Sequence, residues 1–155
     1  MNITKNFTLE ELTNSATAKR KGIDNTPDKE QINNLTALCK NILQPIREIY
    51  GKPIIVGSGY RCTKLNTAIG GSPTSEHRYG MAADIHSVSD TREDNKQLWD
   101  IIRKYLKDNN VGFGQLINEF DYNWIHISYN PKNQRKQVLK AYSKNGKTAY
   151  STFNG

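Results

Sequence analysis

Apolar positions recur along this chain in two rhythms. From Asp28 to Gly51, Ile32, Leu35, Leu38, Ile42, Leu43, Ile46 and Ile49 follow one another at three- and four-residue steps. That spacing predicts one helix with a wide apolar face, a core stripe and not a cofactor or membrane face. Asn25-Thr26-Pro27-Asp28 opens it, with proline near the first helical position and acid in the first turn. Pro45 predicts a kink or break inside it, and Gly51 ends it. Thr8 and Glu11 form a capping box that predicts a short helix to about residue 14. Residues 15–25 are polar and read as irregular. Asp90-Thr91-Arg92-Glu93 caps a further helix with Leu98, Ile101, Ile102 and Tyr105 as apolar positions, ending at Asp108-Asn109-Asn110.

The second rhythm is that of strands. Ile54-Ile55-Val56, between Pro53 and Gly57, predicts a buried strand. Residues 57–80 are rich in Gly, Ser and Thr and read as a long loop, with a helical turn near Asn66–Ile69 and a tight turn at Gly70-Gly71-Ser72-Pro73. Loops of that length inside a domain are usually functional. Met81–His86 reads as a strand. Gly114–Phe120 and Trp124–Tyr129 alternate around Asp121-Tyr122-Asn123, and Gln137–Tyr142 and Thr148–Phe153 flank Asn145-Gly146, a strong hairpin signal. The order of elements predicts an α+β fold, a small antiparallel sheet with helices on one side. One domain is expected over residues 1–155, with a helical segment at 7–50 and a core at 53–153.

Composition narrows the classes. At 35% hydrophobic and 24% charged, the 155 residues describe a folded domain, not a disordered tail. No run approaches a membrane span, and the first residues lack the apolar stretch of a secretory signal. Cys39 and Cys62 lie outside any CxxC, which excludes a disulfide framework and a cysteine zinc cluster and leaves two free thiols. The 22 Lys and Arg against 15 Asp and Glu give a net charge of +7, which suits a polyanion such as nucleic acid, an anionic membrane or a bacterial envelope. The basic residues read as scattered, and no nucleic-acid-binding motif accompanies them, so charge alone motivates a nucleic-acid binder.

Candidate chemistry gathers around two histidines and an aspartate. Asp84 interrupts the apolar run Met81-Ala82-Ala83-Asp84-Ile85, where a carboxylate is costly unless it is paired or bound to a metal. Trp124, His126 and Ser128 share one strand face, opposite Ile125 and Ile127. With His77, these residues match a three-ligand zinc site whose fourth position stays open. If the two strands around residues 121–123 pair so that opposed positions sum to 245, Glu119 lies directly across from His126, placed as a general base. Asp121, two residues on, is the alternative base. His86 shares the face of Asp84 and can line the cleft, and Trp124 can wall it.

These residues resemble the zinc D-alanyl-D-alanine metallopeptidases: D,D-carboxypeptidases, D,D-dipeptidases and phage L-alanyl-D-glutamate endopeptidases, above all their single-domain bacterial and phage branch. The pattern Ser-x-His-x-x-Gly-x-Ala-x-Asp stands whole as Ser75, His77, Gly80, Ala82 and Asp84. Ser58-Gly59-Tyr60-Arg61, Asn66 with Gly70-Gly71, Gln115–Glu119 and Trp124–Ser128 match the flanking elements, and Phe7–Leu12 and Gly22–Pro27 also look familial.

The resemblance implies a hedgehog/D,D-peptidase-like fold and one zinc ion on His77, Asp84 and His126. It further implies that Arg61 steadies an oxyanion or a substrate carboxylate and that Ser75 contacts substrate. Many relatives carry an acid three residues before the last histidine; here that position is Asn123, so the base falls to Glu119 or Asp121. The expected activity is hydrolysis of peptidoglycan stem peptides by a monomer with no nucleic-acid partner and no membrane insertion. The expected setting is a phage or prophage endolysin, or a D-Ala-D-Ala carboxypeptidase. It would be made in the cytoplasm and act at the wall, reached through a holin-type pore. The rival reading is a non-catalytic wall-binding or phage structural module of the same fold.

Overall fold

The computed structural model describes residues 1–155. A two-stranded ribbon, β1 (Asn2–Thr4) and β2 (Phe7–Thr8), leads into α1 (Leu9–Thr13). The Thr8 hydroxyl accepts from the Glu11 amide while Glu11 reaches back to the Thr8 amide, so the capping box forms as expected. The stretch expected to be irregular contains a helix, α2 (Ala16–Lys21), capped by Ser15 and closed by Gly22 in the left-handed region. Only Ala18 of α2 is buried, so no apolar period betrays it.

The long apolar stripe folds as a continuous rod: α3 (Lys29–Leu38), a π-helical turn (Cys39–Leu43) and α4 (Gln44–Tyr50). Asp28 is the N-cap, so Pro27 lies just outside the helix and not at its first position, and Gln31 completes a second capping box. At Pro45 the rod widens and does not break. The Gln44 amide donates to the Cys39 carbonyl five residues back. Pro45 has no N–H for the carbonyl of Asn41, and the Tyr105 hydroxyl donates to that oxygen instead, at 2.8 Å. Ile49, counted in the stripe, is exposed.

Six strands form the main sheet: β3 (Ile54–Ser58), β4 (Ala82–Ser87), β5 (Gln115–Glu119), β6 (Trp124–Ser128), β7 (Gln137–Lys144) and β8 (Lys147–Thr152), in the order β3-β4-β6-β5-β7-β8. Between β3 and β4 lie α5 (Thr63–Ala68) and a 3₁₀ turn (Glu76–Tyr79), and α6 (Arg92–Asp108) joins β4 to β5. The sheet is mixed, which corrects the all-antiparallel expectation: β5 and β7 run parallel. β6 ends beside the start of β5, where Ser128 accepts from Gly114 and Gly114 accepts from Gln137. Residues 129–136 therefore need only step across the start of β5, and β7 sets out in the same direction. β3, expected to be buried, is an edge strand in which only Ile54 is buried.

The two faces of this sheet differ completely. Ala83, Ile85, Leu116, Ile125 and Ile127 point into one apolar cluster with Leu35, Leu38, Ile42, Leu43 and Ile46 of the rod and Leu98, Trp99, Ile102 and Leu106 of α6. Each leucine or isoleucine among them contributes about 1.5–3 kcal/mol on burial. The strand period of two puts Asp84, Glu119 and His126 on the opposite face, where the segment between β3 and β4 supplies His77.

Candidate active site

In the β4–β6 register Asp84 is the direct partner of His126, and His126 Nδ1 lies 2.9 Å from Asp84 Oδ1. His77 comes from the 3₁₀ turn, which Ser75 caps by accepting from the His77 amide and Gly80 closes at φ 73°. A Cβ on Gly80 would stand 2.6 Å from the carbonyl of Gln31, so the turn docks on α3 only with glycine there. Gly59 plays the same part against α1, where a Cβ would meet the Leu12 carbonyl at 2.2 Å. That close approach presents the Gly59 carbonyl to His77 Nδ1 at 2.7 Å.

A carbonyl only accepts, so Nδ1 carries the proton and Nε2 of the neutral ring is left with its lone pair. Nε2 points at Asp84 Oδ2 from 3.3 Å. Burial pushes the His77 imidazole below its ordinary pKa, against the pull of Asp84. Burial alone would raise the Asp84 carboxyl; the two imidazoles beside it, His77 first and then His126 hydrogen-bonded to Oδ1, outweigh it and hold Asp84 well below the carboxylate range. A neutral imidazole lone pair and a carboxylate thus converge, which is unfavourable unless a cation lies between them. The three ligand atoms of His77, Asp84 and His126 lie within 4.8 Å of one another. Two imidazole nitrogens and one carboxylate oxygen form a donor set that suits zinc.

Arg61 is held on the rim of the cluster. Its Nη2 lies 3.3 Å from Asp84 Oδ2, its Nε donates to the Ser58 hydroxyl at 3.0 Å, and its Nη1 donates to Asn66 Oδ1 at 3.3 Å. Asn66 is buried and donates in turn to the Ser72 carbonyl at 2.8 Å. The Ser-Gly-Tyr-Arg and Asn…Gly-Gly elements are therefore one device that fixes the guanidinium.

Glu119 lines the same cleft of about 880 Å³ as His77, Asp84 and His126. Its register differs from the expected one. Glu119 pairs with Trp124, and Ile117 stands opposite His126, so opposed positions sum to 243. The reason is the turn: Phe120, Asp121 and Tyr122 all adopt positive φ, and the Asn118 side chain accepts from the Tyr122 amide, giving a four-residue loop over 120–123. A slip of two keeps every side chain on its face, so Glu119 remains on the side of His126. It is 8% exposed, and burial lifts its carboxyl to about 7, with His126 pulling down and Asp84 pushing up.

The remaining candidates sit as follows. Asp121 is exposed in the turn, paired with Arg92, and lines a different hollow beside α6. Ser75 lines the cleft while capping the 3₁₀ turn. Trp124 is half-buried against Phe120, at a ring distance of 5.5 Å, between the cleft and a smaller groove of about 270 Å³. His86 lines that smaller groove, 3.4 Å from Asp90. Asn123 donates its amide to the Glu119 carbonyl, a turn role. Cys39 is buried and its thiol is pushed up to about 12; Cys62 caps α5, and both thiols are free.

Sequence reading missed the far wall of the cleft. Gln137, Leu139, Thr148 and Tyr150 of the β7–β8 hairpin line it. The pairing Glu119↔Ala141↔Tyr150 sets the tyrosine two strands from the candidate base, over a small alanine. The hairpin was legible; its parallel docking on β5 was not. No helix is long and apolar enough to cross a membrane.

Comparison with known proteins agrees with this geometry. The zinc D-Ala-D-Ala carboxypeptidase of Streptomyces albus G is 37% identical over 85 residues, which cover 54% of this chain and 32% of that protein. The chain thus matches about a third of the length of that relative. The model of the Peptidase M15 family matches residues 5–128, from the strand ahead of α1 through β6, so the cluster, Arg61 and Glu119 all fall inside it. The chain belongs to the peptidase M15 family.

Proposed function

We propose that this protein is a zinc-dependent peptidase with a D,D-peptidase-like fold that hydrolyses peptide bonds in peptidoglycan stem peptides. The observation that carries the reading is the His77–Asp84–His126 cluster with a buried carboxyl poised near 7 beside it in one open cleft. Zinc held by these three residues would supply Lewis acidity to the scissile carbonyl and to the attacking water.

The chain's own residues supply the rest. Glu119, poised near 7, takes a proton from the attacking water and passes it to the leaving amine nitrogen. Arg61 keeps its charge and faces the cleft with its fork fixed by Ser58 and Asn66, where it stabilises negative charge on the carbonyl oxygen. Gly59 orients His77, and Trp124 and Ser75 border the peptide. The preferred setting is a phage or prophage lysis enzyme, with D-Ala-D-Ala carboxypeptidase activity, that of the Streptomyces albus G relative, as the alternative.

Mass spectrometry of muropeptides after digestion tests this. Zinc-loaded wild type releases stem-peptide fragments whose masses identify the bond cut, chelated protein releases none, and Glu119→Ala releases none at equal zinc content. Intact stems after treatment with zinc-loaded wild type contradict the reading.

A further inference from the structure

The basic residues are not scattered. Residues 122–155 hold six Lys or Arg (Lys132, Arg135, Lys136, Lys140, Lys144, Lys147) and no acid, whereas residues 1–121 hold sixteen against fifteen. Nearly all of the +7 thus belongs to the β7–β8 hairpin and the segment leading into it.

The pleat then sorts this charge. Lys140, Lys144 and Lys147 fall on one face of the hairpin, because Lys144 pairs with Lys147 and Lys140 with Ser151. Gln137, Leu139, Ala141, Ser143, Thr148, Tyr150 and Thr152 make up the other face, the one toward the cleft, and it carries no charge. Arg135 is paired with Glu76 and Lys136 with Asn110, but Lys140, Lys144 and Lys147 have no carboxylate partner. Lys144 and Lys147 stand directly across from each other beside the Asn145-Gly146 turn, a like-charge pairing that costs stability. Lysine on a sheet edge also deters strand pairing, which accounts for Lys147 on β8 and for Lys144 beyond the end of β5, but not for Lys140, which is paired with β5 on one side and β8 on the other. The charged face continues past Lys140 into a hollow of about 530 Å³ that also holds Lys96 and Arg103. The acids there are engaged, Asp100 by Lys96 and Asp121 by Arg92, and Arg103 stacks on Trp99 and Phe153.

We infer that the outer face of the β7–β8 hairpin is a docking surface for a phosphodiester polymer of the bacterial wall. The identity of the polymer rests on the peptidase reading, since the same hairpin walls the cleft on its other face. The chemistry is that of dispersed ammonium groups meeting repeated phosphates. The face has no apolar wedge of the kind a bilayer requires, since Val138 packs on the core and the remaining positions are Lys140, Tyr142, Lys144, Lys147, Ala149 and Ser151. Nor does it carry the row of aromatic rings on which successive bases stack. Such docking raises the local concentration of cleft and substrate without adding a contact in the cleft.

The experiment compares wild type, the triple variant Lys140→Gln/Lys144→Gln/Lys147→Gln and the charge-keeping triple Lys→Arg at the same positions. Each is pelleted with wall sacculi, with the same sacculi stripped of phosphodiester polymer by hydrofluoric acid, with anionic phosphatidylglycerol vesicles and with duplex DNA, at about 50 and 300 mM salt. Wild type and the Arg triple are retained on intact walls at low salt and released at high salt. The Gln triple binds at least about tenfold more weakly, and stripped walls retain none of the three. Equal retention of the Gln triple, equal retention on stripped walls, or tighter binding to vesicles or DNA overturns the inference. Hydrolysis of a soluble stem peptide is measured alongside and is the same in all three. Its absence in wild type would defeat the peptidase reading while the pelleting result still stands.

Discussion

The two faces of the central sheet are built from alternate residues of the same strands and obey opposite rules. On β4 and β6, Ala83, Ile85, Ile125 and Ile127 are fully buried and make the core, while Asp84 and His126, interleaved with them, stay partly open and make the cluster. The apolar face gains stability from every side chain it buries. The polar face assembles groups that folding alone does not favour: a carboxylate among small residues, a neutral imidazole turned toward it, and a carboxyl lifted to about 7. The contrast teaches that the helices and the core face hold the strands in register so that the other face can keep its costly arrangement ready for a cation and a substrate.

Single substitutions break this comparison cleanly. The largest effect is expected for Asp84→Asn. The cluster loses its only anionic ligand, zinc stoichiometry drops below one, and hydrolysis falls by at least about a thousandfold. Plasma emission analysis of the dialysed protein and a stem-peptide assay read both. One residue along the strand, Ile85→Ala is expected to do the reverse: it removes about 2–5 kcal/mol of stability, measured by urea unfolding, and leaves zinc content at wild-type level. A variant of one face that behaves like the other would dissolve the distinction.

A subtler test separates Glu119 from its neighbours by pH. Its folded pKa of about 7 lies above the ordinary 4.5, so the folded metal-free protein keeps a proton that the unfolded chain has lost. The stability this group contributes is complete below about pH 4.5 and disappears as pH rises through 7. In Glu119→Gln that dependence is gone. The melting temperature of the metal-free variant relative to wild type therefore rises between about pH 4.5 and 8 and is level outside that window. The smallest effect is expected for Asp121→Asn. The side chain is exposed, its ion pair with Arg92 lies at the surface, and asparagine tolerates the φ of 58°. Stability stays within about 0.5 kcal/mol and hydrolysis within about twofold of wild type.

The face chemistry was legible because it is local. An aspartate in an apolar strand and a histidine between two isoleucines announce a polar face at period two, and the capping box at Thr8 and the Pro27-Asp28 start announce their helices. What was not legible depends on long-range geometry or on too few residues. The register of β5 against β6 was set by three consecutive left-handed residues in the turn, which no composition rule dictates for Phe120-Asp121-Tyr122. The parallel docking of β7, the far wall of the cleft and the choice of which hairpin face turns away from the cleft follow from strand order. α2 was hidden by its shortness, and the π-helical turn by the Tyr105 hydroxyl that supplies what Pro45 lacks.

The central claim is that Glu119 acts as the base beside a metal held by His77, Asp84 and His126. It is tested most directly by the stem-peptide turnover rate of Glu119→Gln at one zinc per chain. The account predicts that wild type turns over and that the variant, equally loaded with zinc, is slower by at least about a hundredfold. A zinc-loaded variant within about threefold of wild type would contradict it.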